Sequence, residues 1–346
     1  MVKFGVQHGT NSALLDHNIE AILESIQAAE KLGYDSAFVM DHLNMFPRRS
    51  EVYDAWTLLG AIAGKTNNMQ IGSCVSDPHR YHPAVLAQKV ATVSRLSNGR
   101  AILSLGYGEG MNLNTFGIPF GAKPVTKLRE SIQIIRLLWN STPKSRVNFE
   151  GLNYSINEAF LQIKIHNPCI WVAGNSPMTL KVVAELGDGW IPTGYSPKLY
   201  KKHLKILNSD QVHREIEKAY EIFIAISRTR EKAENIMQPI GATICLKKEL
   251  LSEYNVELPE ELQFQKRIKL SLYEMMKDGQ KLSSFISQIP LELIQQVTAY
   301  GTPDDCIESI DRFVKAGVDH FVIEFLGPNY YDAMTLFMNE VIPHFK

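Results

Sequence analysis

A strand, a helix and a second strand are predicted in residues 69–110, which read MQIGSCVSDPHRYHPAVLAQKVATVSRLSNGRAILSLGYGEG. MQIGSCV (69–75) and RAILSLG (100–106) have the apolar character of buried strands. The helix between them is predicted to begin at Pro83, because proline is well tolerated in a first helical turn, and to end near Leu96. Two buried strands joined by a helix are typical of a parallel sheet with both faces covered.

The same alternation extends through the rest of the chain. Strands are predicted at 3–8, 35–40, 69–75, 100–106, 169–174, 189–193, 222–227 and 320–325. Helices are predicted between the strands, among them 16–32, 54–65, 124–139, 177–186 and one that opens at Thr302. Eight strand–helix units indicate a closed barrel rather than an open doubly wound sheet. The predicted fold class is therefore α/β, a (β/α)8 TIM barrel.

The whole chain, residues 1–346, is predicted to form one barrel domain with two insertions. The first, at about 141–168, contains NFEGLNYSI (148–156), which indicates a short hairpin. The second, at about 230–300, is longer than a strand crossover requires, and its segment KRIKLSLYEMMKDG (266–279) is typical of a helix. We therefore expect a helical insertion before the last strand, which would cover the substrate pocket.

Composition and charge argue against several classes of protein. Hydrophobic residues make up 45%, charged residues 21%, and the formal net charge is -1, so neither nucleic acid nor a membrane is an expected partner. The sequence contains no apolar run of about 18 residues, and MVKFGVQHG at its start has no signal region. We therefore expect a cytoplasmic protein. The four cysteines are widely spaced and form no CxxC motif, which argues against a disulfide framework or a zinc site.

Polar residues at the predicted strand ends are the candidate site, because a barrel of this kind binds its substrate at the carboxyl ends of the strands. His42 follows the second strand and Glu109 the fourth, and an imidazole and a carboxyl that face one pocket can divide acid and base roles near neutral pH. Each has a simpler alternative, a strand-end cap for His42 and a solvated loop position for Glu109. Gln7 and Thr193 end the first and sixth strands, and we expect them to line the substrate pocket.

Two loops at the same face are candidates for cofactor contacts. GYGEG (106–110) is glycine-rich, which lets the backbone approach a planar ligand, although it is not a GxGxxG fingerprint. In AGNSP (173–177), Asn175 or Ser176 can cap a helix that begins at Pro177. The N–H groups and dipole of that helix would suit a cofactor phosphate, and an ordinary capped helix is the alternative.

HRYH (79–82) is a polar cluster just after the third strand. It lacks the ligand spacing of HExxH and similar metal motifs. We therefore expect it to form a pocket wall or a subunit contact, and we expect no metal.

Several segments of the chain resemble the bacterial-luciferase-like superfamily. They are SAFVMDHLNMF (36–46), residues 71–112, KLRESIQIIRLLW (127–139), VAGNSPMTLKVVAELGDGWIPTG (172–194) and TPDDCIESIDRFVKAGVDHFVI (302–323). The resemblance covers nearly the whole chain except roughly 230–290. Within the superfamily, the chain is most similar to enzymes that use coenzyme F420, a deazaflavin hydride carrier. These are glucose-6-phosphate dehydrogenases, secondary-alcohol dehydrogenases, methylenetetrahydromethanopterin reductases and phthiodiolone ketoreductase-like proteins.

This resemblance implies catalytic roles for two residues. The DH motif of the family falls on Asp41 and His42, and it implies that His42 lies near the transferred hydrogen. The GxGExxN motif falls on residues 106–112 and includes Glu109 and Asn112. It implies that Glu109 gives a proton to the deazaflavin ring.

Cofactor and pocket contacts are implied in the same way. The residues implied to bind the cofactor are Asp41, Cys74, Val75, Tyr107, Gly108, Asn112, Ala173, Gly174, Asn175 and Ser176. Some members of the family have a non-proline cis peptide at the end of strand three, and the matching bond is Cys74–Val75. The family's pocket tryptophan falls on Phe46, which keeps an aromatic residue in the substrate pocket.

Departures from the family pattern narrow the expected substrate. Where the glucose-6-phosphate enzymes have a lysine after strand six, this chain has Ser196, and the late arginine is absent from LIQQVTAYGTPDD (293–305). The pterin reductases have a glutamate at Gln7 and lack the GE motif. We therefore expect an F420-dependent oxidoreductase that acts on a small-molecule alcohol or ketone, as a homodimer through residues 54–64 and 83–96.

Three alternatives remain open at this point. The same fold supports an FMN-dependent monooxygenase that uses oxygen, with FMN in place of F420. An F420-dependent methylenetetrahydromethanopterin reductase is the second alternative. A barrel that binds a ligand without catalysis is the third.

Overall fold

Eight parallel strands close into a ring, and this ring confirms the predicted barrel. The computed structural model of the chain describes residues 1–8, 18–44, 51–163, 165, 168–209, 215–245, 248–257 and 288–346. The strands are β1 (Lys3–His8), β2 (Ser36–Val39), β3 (Gln70–Ser76), β4 (Ala101–Leu105), β5 (Val147–Glu150), β6 (Ser155–Ala159), β7 (Cys169–Val172), β8 (Gly189–Trp190), β9 (Glu217–Ile226), β10 (Ala299–Gly301) and β11 (His320–Phe325). Around the ring the order is β1, β2, β3, β4, β7, β8, β9 and β11, and β11 pairs with β1.

Helices follow the strands and pack their apolar faces against the outside of the ring. They are α1 (Ile19–Leu32), α2 (Ala55–Lys65), α3 (Pro83–Leu96), α4 (Gly110–Leu113), α5 (Pro124–Trp139), α6 (Pro177–Leu186), α7 (Pro197–Ser209), α8 (Arg230–Ile244), α9 (Lys248–Glu253), α10 (Leu291–Val297), α11 (Pro303–Ala316) and α12 (Tyr330–Glu340). The predicted starts at Pro83, Pro124 and Pro177 are confirmed, because proline occupies the first turn of each helix. Single 3-10 turns cover Asn114–Phe116 and Ile342–His344.

Two strands differ in length from their predicted spans. β8 has two residues rather than the predicted 189–193, because Pro192 has no N–H group with which to continue the ladder. Beyond it, Thr193 makes an isolated parallel bridge with Glu221. β9 begins five residues before the predicted 222, at Glu217.

Both insertions are visible in the described residues. β5 and β6 form the expected hairpin and pair antiparallel. The second insertion contains α8, α9 and α10, and it ends in β10, which pairs in parallel with the carboxyl end of β9, Ala299 opposite Ile224. β10 was not predicted from the sequence, since three residues are too few to show a strand period. The helix predicted over 266–279 lies outside the described residues.

The interior of the ring is filled from the amino ends of the strands upward. At that end Ser36 Oγ lies 2.7 Å from His320 Nε2, and Glu217 Oε1 accepts a hydrogen bond from Lys3 Nζ at 2.7 Å. The hydrogen bond with His320 lowers the pKa of Glu217 to about 2. An apolar layer follows, formed by Phe38, Cys74, Ile102, Trp171, Ile191, Ala219 and Val322. Above this layer lie the carboxyl ends of the strands, where the candidate site is found.

Candidate active site

Asp41, directly after β2, is held from several sides. Its side chain is buried; Oδ1 accepts hydrogen bonds from Arg80 Nη1 at 2.8 Å and Tyr81 Oη at 3.2 Å, and Oδ2 accepts one from the Ser76 hydroxyl. Arg80 Nη2 also donates to the backbone oxygen of Asp41 at 2.6 Å. The loop that begins at His42 is therefore anchored to the loop after β3.

Arg80 joins two buried carboxylates, because its guanidinium donates to Asp77 as well as to Asp41. Burial opposes the charge of Arg80, but Asp41 and Asp77 outweigh that effect and raise the pKa of Arg80 above its usual value. Arg80 therefore stays charged across the physiological pH range. Arg80 thus holds Asp41, the residue before His42, in place. This supporting role was not predicted for residues 79–82, which were expected to form a pocket wall or a subunit contact.

Asn112 links the His42 loop to α4. Its Oδ1 accepts hydrogen bonds from the backbone N–H groups of Leu43 at 2.8 Å and Asn44 at 3.3 Å, and its Nδ2 lies 2.6 Å from His42 Nδ1. The backbone N–H of Asn112 donates to the backbone oxygen of Glu109 at 3.1 Å. Asn112 therefore contacts His42 through its buried side chain and Glu109, which precedes α4 and is partly exposed, through its backbone.

Small residues form a shallow apolar surface at the ends of β3, β4 and β7. The Cys74–Val75 peptide bond is cis, at the bond that the resemblance indicated, and the pairing of β3 with β4 shifts register there. A Cβ atom at Gly106 would lie 2.9 Å from Val75 Cγ2 and 3.8 Å from Ala173 Cβ. A glycine at 106 is thus needed for the side chain of Val75 to lie against the β4 backbone.

The glycine loop after β4 rests on His79. Gly108 has a left-handed φ of +93°, and a Cβ atom there would lie 2.8 Å from His79 Cδ2. His79 Nε2 lies 3.0 Å from the backbone oxygen of Tyr107, and the imidazole stacks on Phe120 at 5.1 Å between ring centroids. Burial lowers the pKa of His79, which favours the neutral ring. His79 therefore supports the loop that carries Glu109.

The start of α6 has fewer spare donors than the sequence suggested. Ser176 caps the helix, and a capping box joins it to Thr179, whose backbone N–H is thereby satisfied. Pro177 has no N–H group, so Met178 carries the backbone donor left in the first turn. The backbone oxygens of Gly174 and Asn175 accept hydrogen bonds from Trp190 Nε1 and Tyr195 Oη. This loop is rigid, and its capacity for an anion is smaller than an uncapped helix would offer.

Two carboxyl residues that were not predicted as site residues, Glu221 and Glu324, lie on the inner face of β9 and β11, two residues beyond the inner-layer residues Ala219 and Val322. Gln7 Nε2 donates to Glu221 Oε1 at 2.7 Å, while Gln7 Oε1 is buried and has no hydrogen-bond partner among the described residues. Glu324 is 4% exposed. Burial, followed by the charges of Glu221 and Glu324, raises the pKa of Cys74 well above its usual value. A charged residue inside an otherwise apolar strand, as in HFVIEF (320–325), was the available signal.

Phe46 and Thr193 were predicted to line the substrate pocket with Gln7. Phe46 lies outside the described residues, and Thr193 lies on the barrel side opposite β2, at the end of β8. Within the described ranges, no group of three or more His, Cys, Asp or Glu side chains is arranged to hold a metal ion. No helix in the same ranges is long and apolar enough to cross a membrane.

The fold and the strand-end residues define a class of (β/α)8-barrel proteins with a polar site at one mouth. A family profile described as luciferase-like monooxygenase matches residues 1–320. The chain therefore belongs to the luciferase-like monooxygenase family.

Relatives of similar length have assigned activities. The chain is 28% identical to the phthiodiolone/phenolphthiodiolone dimycocerosates ketoreductase of Mycobacterium tuberculosis, covering 99% of this chain and 97% of that protein. It is 29% identical to the F420-dependent glucose-6-phosphate dehydrogenase of Amycolatopsis mediterranei, covering 94% of both. It is also 29% identical to the 5,10-methylenetetrahydromethanopterin reductase of Archaeoglobus fulgidus, covering 93% of this chain and 94% of the other.

Solved structures share the fold. The F420-dependent tetrahydromethanopterin reductase of Methanopyrus kandleri has a TM-score of 0.83 at 22% identity, covering 100% of this chain and 99% of that one. An F420-dependent secondary alcohol dehydrogenase has a TM-score of 0.80 at 23% identity with the same coverage. At these identities the likeness supports the barrel architecture.

Proposed function

We propose that this chain is a coenzyme F420-dependent oxidoreductase that transfers a hydride between the deazaflavin and an alcohol or ketone substrate. The observation that carries the proposal is Asn112, whose side chain contacts the predicted substrate residue His42 and whose backbone N–H bonds to the backbone oxygen of the predicted proton donor Glu109. The names of similar proteins support the cofactor, because coenzyme F420 is part of the name of the Amycolatopsis relative and of both proteins with solved structures.

The small apolar surface of Val75, Gly106 and Ala173 fits a planar ring system, since a larger side chain at 106 would meet Val75. Bound F420 would supply or accept the hydride there. The residues proposed to hold the ring are Asp41, Cys74, Val75, Tyr107, Gly108 and Asn112. The residues proposed to hold the phosphate-bearing part are Ala173, Gly174, Asn175 and Ser176.

Glu109 and His42 have different proposed partners. The Glu109 carboxyl would carry the proton exchanged at the ring edge. Glu109 directly follows Gly108, whose left-handed φ turns the chain after β4. His42 would contact the substrate oxygen. Gln7, Phe46 and Thr193 would line the substrate pocket, with Glu221 and Glu324 at its floor.

A sugar phosphate is not the proposed substrate. Ser196, at the position where the sugar-phosphate enzymes have lysine, is buried, and its hydroxyl accepts a hydrogen bond from the Leu199 N–H at 3.2 Å. The proposed floor residues Glu221 and Glu324 also offer no positive charge to a phosphate. A neutral alcohol or ketone meets neither obstacle.

Two other functions have support. An FMN-dependent monooxygenase is favoured by the description of the family itself. A methylenetetrahydromethanopterin reductase is favoured by the Archaeoglobus relative, although the Gln7 amide stands where the pterin enzymes have a carboxylate.

We also propose a homodimer through α2 and α3. Val85 on the α3 surface is 49% exposed, and burial of such side chains favours association. Light scattering of the wild type and of Val85→Glu would test this, and an unchanged dimer in the variant would place the interface elsewhere.

Spectroscopic titration with oxidised F420, and separately with FMN, tests the main proposal. We expect saturable binding of F420, and loss of its visible absorbance band when the correct alcohol is added. Binding of FMN alone, together with substrate-dependent oxygen consumption by the reduced flavin, would favour the monooxygenase instead. Binding of F420 without any hydride transfer, and no effect of Glu109→Gln, would favour a non-catalytic barrel.

A further inference from the structure

We propose that Asn112 is a positioning residue that fixes His42 in the neutral tautomer with its proton on Nε2. His42 then presents a hydrogen-bond donor to the substrate, rather than a base. The buried carboxamide of Asn112 makes three hydrogen bonds that determine this tautomer.

The orientation of the Asn112 side chain is set by the protein backbone. Two N–H groups, of Leu43 and Asn44, point at one end of the carboxamide, at 2.8 Å and 3.3 Å. An N–H group can only donate, so the end that it meets must be the oxygen. The NH2 group of Asn112 therefore occupies the other end, 2.6 Å from His42 Nδ1.

The NH2 group in turn determines the protonation of the imidazole. An amide nitrogen has two hydrogens and does not accept a hydrogen bond. His42 Nδ1 must then offer a lone pair, because a hydrogen on Nδ1 would be directed at the hydrogens of Asn112. A neutral imidazole carries one ring hydrogen, so that hydrogen lies on Nε2.

Both partners are fixed independently of this contact. Asn112 is 3% exposed and lies in α4, whose first turn bonds to Glu109. The residue before His42 is Asp41, whose carbonyl and carboxylate are both bound by Arg80. The Asn112 carboxamide therefore cannot flip without losing its bonds to Leu43 and Asn44, and the backbone that leads into His42 is held by Arg80.

The consequence for chemistry rests on the proposed function. As a ketone is reduced, its oxygen gains negative charge, and a hydrogen bond from His42 Nε2–H stabilises that charge. Water supplies the proton that completes the hydroxyl group. In the reverse direction, His42 cannot accept the hydroxyl proton at Nε2, which already carries a hydrogen. The arrangement therefore favours carbonyl polarisation over base catalysis.

Nitrogen-15 NMR of the protein labelled on histidine tests the tautomer without cofactor or substrate. The spectra are recorded at about pH 8, where ordinary histidines are neutral, and the signals are assigned with His42→Gln. We expect His42 Nε2 to show the shift of a protonated nitrogen and Nδ1 that of an unprotonated one. A proton on Nδ1 in the wild type would overturn the inference, whatever the protein is later found to catalyse.

Asn112→Asp supplies the matching variant, because aspartate has the same shape but two acceptor oxygens. One oxygen can still accept from Leu43 and Asn44, and the other now favours a hydrogen on His42 Nδ1. We expect that hydrogen to appear in the spectrum. Asn114→Asp is the control, because this substitution adds the same charge two residues away, at an exposed position. An unchanged tautomer in Asn112→Asp, with a wild-type melting curve, would also overturn the inference.

Discussion

Glu109 is partly exposed and directly precedes α4, so its carboxyl can be altered with little effect on packing. Glu109→Gln keeps the size and polarity of the side chain but removes its ionisable carboxyl group. We expect F420 to bind with little change and the rate of hydride transfer to fall by about 100-fold or more, the usual effect of losing a general acid. Stopped-flow measurement of the F420 absorbance gives this rate.

Glu308→Gln is the matched control for that measurement. Glu308 is exposed on α11, on the outside of the barrel. Equal rates for the wild type and both variants would remove Glu109 from the proposed chemistry.

Arg80 provides a second test at a single residue. Arg80→Lys keeps the charge, but an ammonium cannot reach Asp77, the Asp41 carboxylate and the Asp41 carbonyl in the planar fork of a guanidinium. We expect a loss of about 2–3 kcal/mol in the free energy of unfolding, toward the value for a broken buried ion pair. Urea denaturation measures it. Arg228→Lys, which alters the exposed pair with Glu340, should change the same quantity by less than about 1 kcal/mol.

Among the elements, those with strong local signals were predicted closely, and those that depend on distant partners were not. α3, α5 and α6 begin at the expected prolines, since proline at the first turn is a local rule. The early start of β9 was missed because Glu217 and Glu221 interrupt its apolar pattern. Both glutamates accept hydrogen bonds from residues more than 200 positions away in sequence, Glu217 from Lys3 and Glu221 from Gln7.

The candidate site shows the same division. The strand ends and the glycine loop after β4 lie where they were predicted, because the strand–helix alternation fixes the topology of the barrel. The contacts of Asp41 with Arg80, and of Asn112 with His42, were not found, since they join separate loops whose approach no spacing records. Contacts between separate loops were therefore harder to predict than the positions of the strand ends, and the roles of the site residues stay predictions.

The loop after β4 can be tested as an element through two glycines with left-handed φ. At Gly108, alanine would add both the cost of φ +93° and a Cβ atom 2.8 Å from His79 Cδ2. We expect Gly108→Ala to destabilise the protein by more than about 1 kcal/mol and to weaken F420 binding, as calorimetry would show.

Gly117→Ala is the control, because Gly117 has φ +65° and nothing within 4 Å of an added Cβ atom. It should carry the backbone cost of about 1 kcal/mol alone, with F420 affinity unchanged. Equal effects of the two substitutions on affinity would show that the His79 contact does not hold the loop in place.

The pH dependence of the free energy of unfolding should come in part from one buried histidine, His8. His8 lies between α1 and α12, beside Ser25 and Tyr330, and burial lowers its pKa from 6.5 to about 3. Below pH 6.5 the unfolded chain binds a proton that the folded protein does not. The stabilising contribution is thus complete above pH 6.5 and is lost as the pH falls toward 3, at about 1.4 kcal/mol for each pH unit.

Urea denaturation at about pH 7 and about pH 5.5 measures this contribution. We expect the wild type to lose about 1 kcal/mol more between these values than His8→Gln does. His344→Gln, which alters an exposed histidine near the carboxyl end, should follow the wild type. Parallel pH dependence of all three proteins would contradict the assignment to His8.

The second insertion leaves the ring after β9 and returns as β10 beside that same strand. Ala299, where β10 begins, lies opposite Ile224, so the two ends of the insertion are about 8 Å apart, one strand spacing across and two residues along. With the ends clamped, doubling the length of the segment between them costs only about 0.6 kcal/mol of closure entropy. Changes in the length of this segment can therefore be accepted while the ring is preserved. Related proteins with different substrates are expected to differ most in this segment.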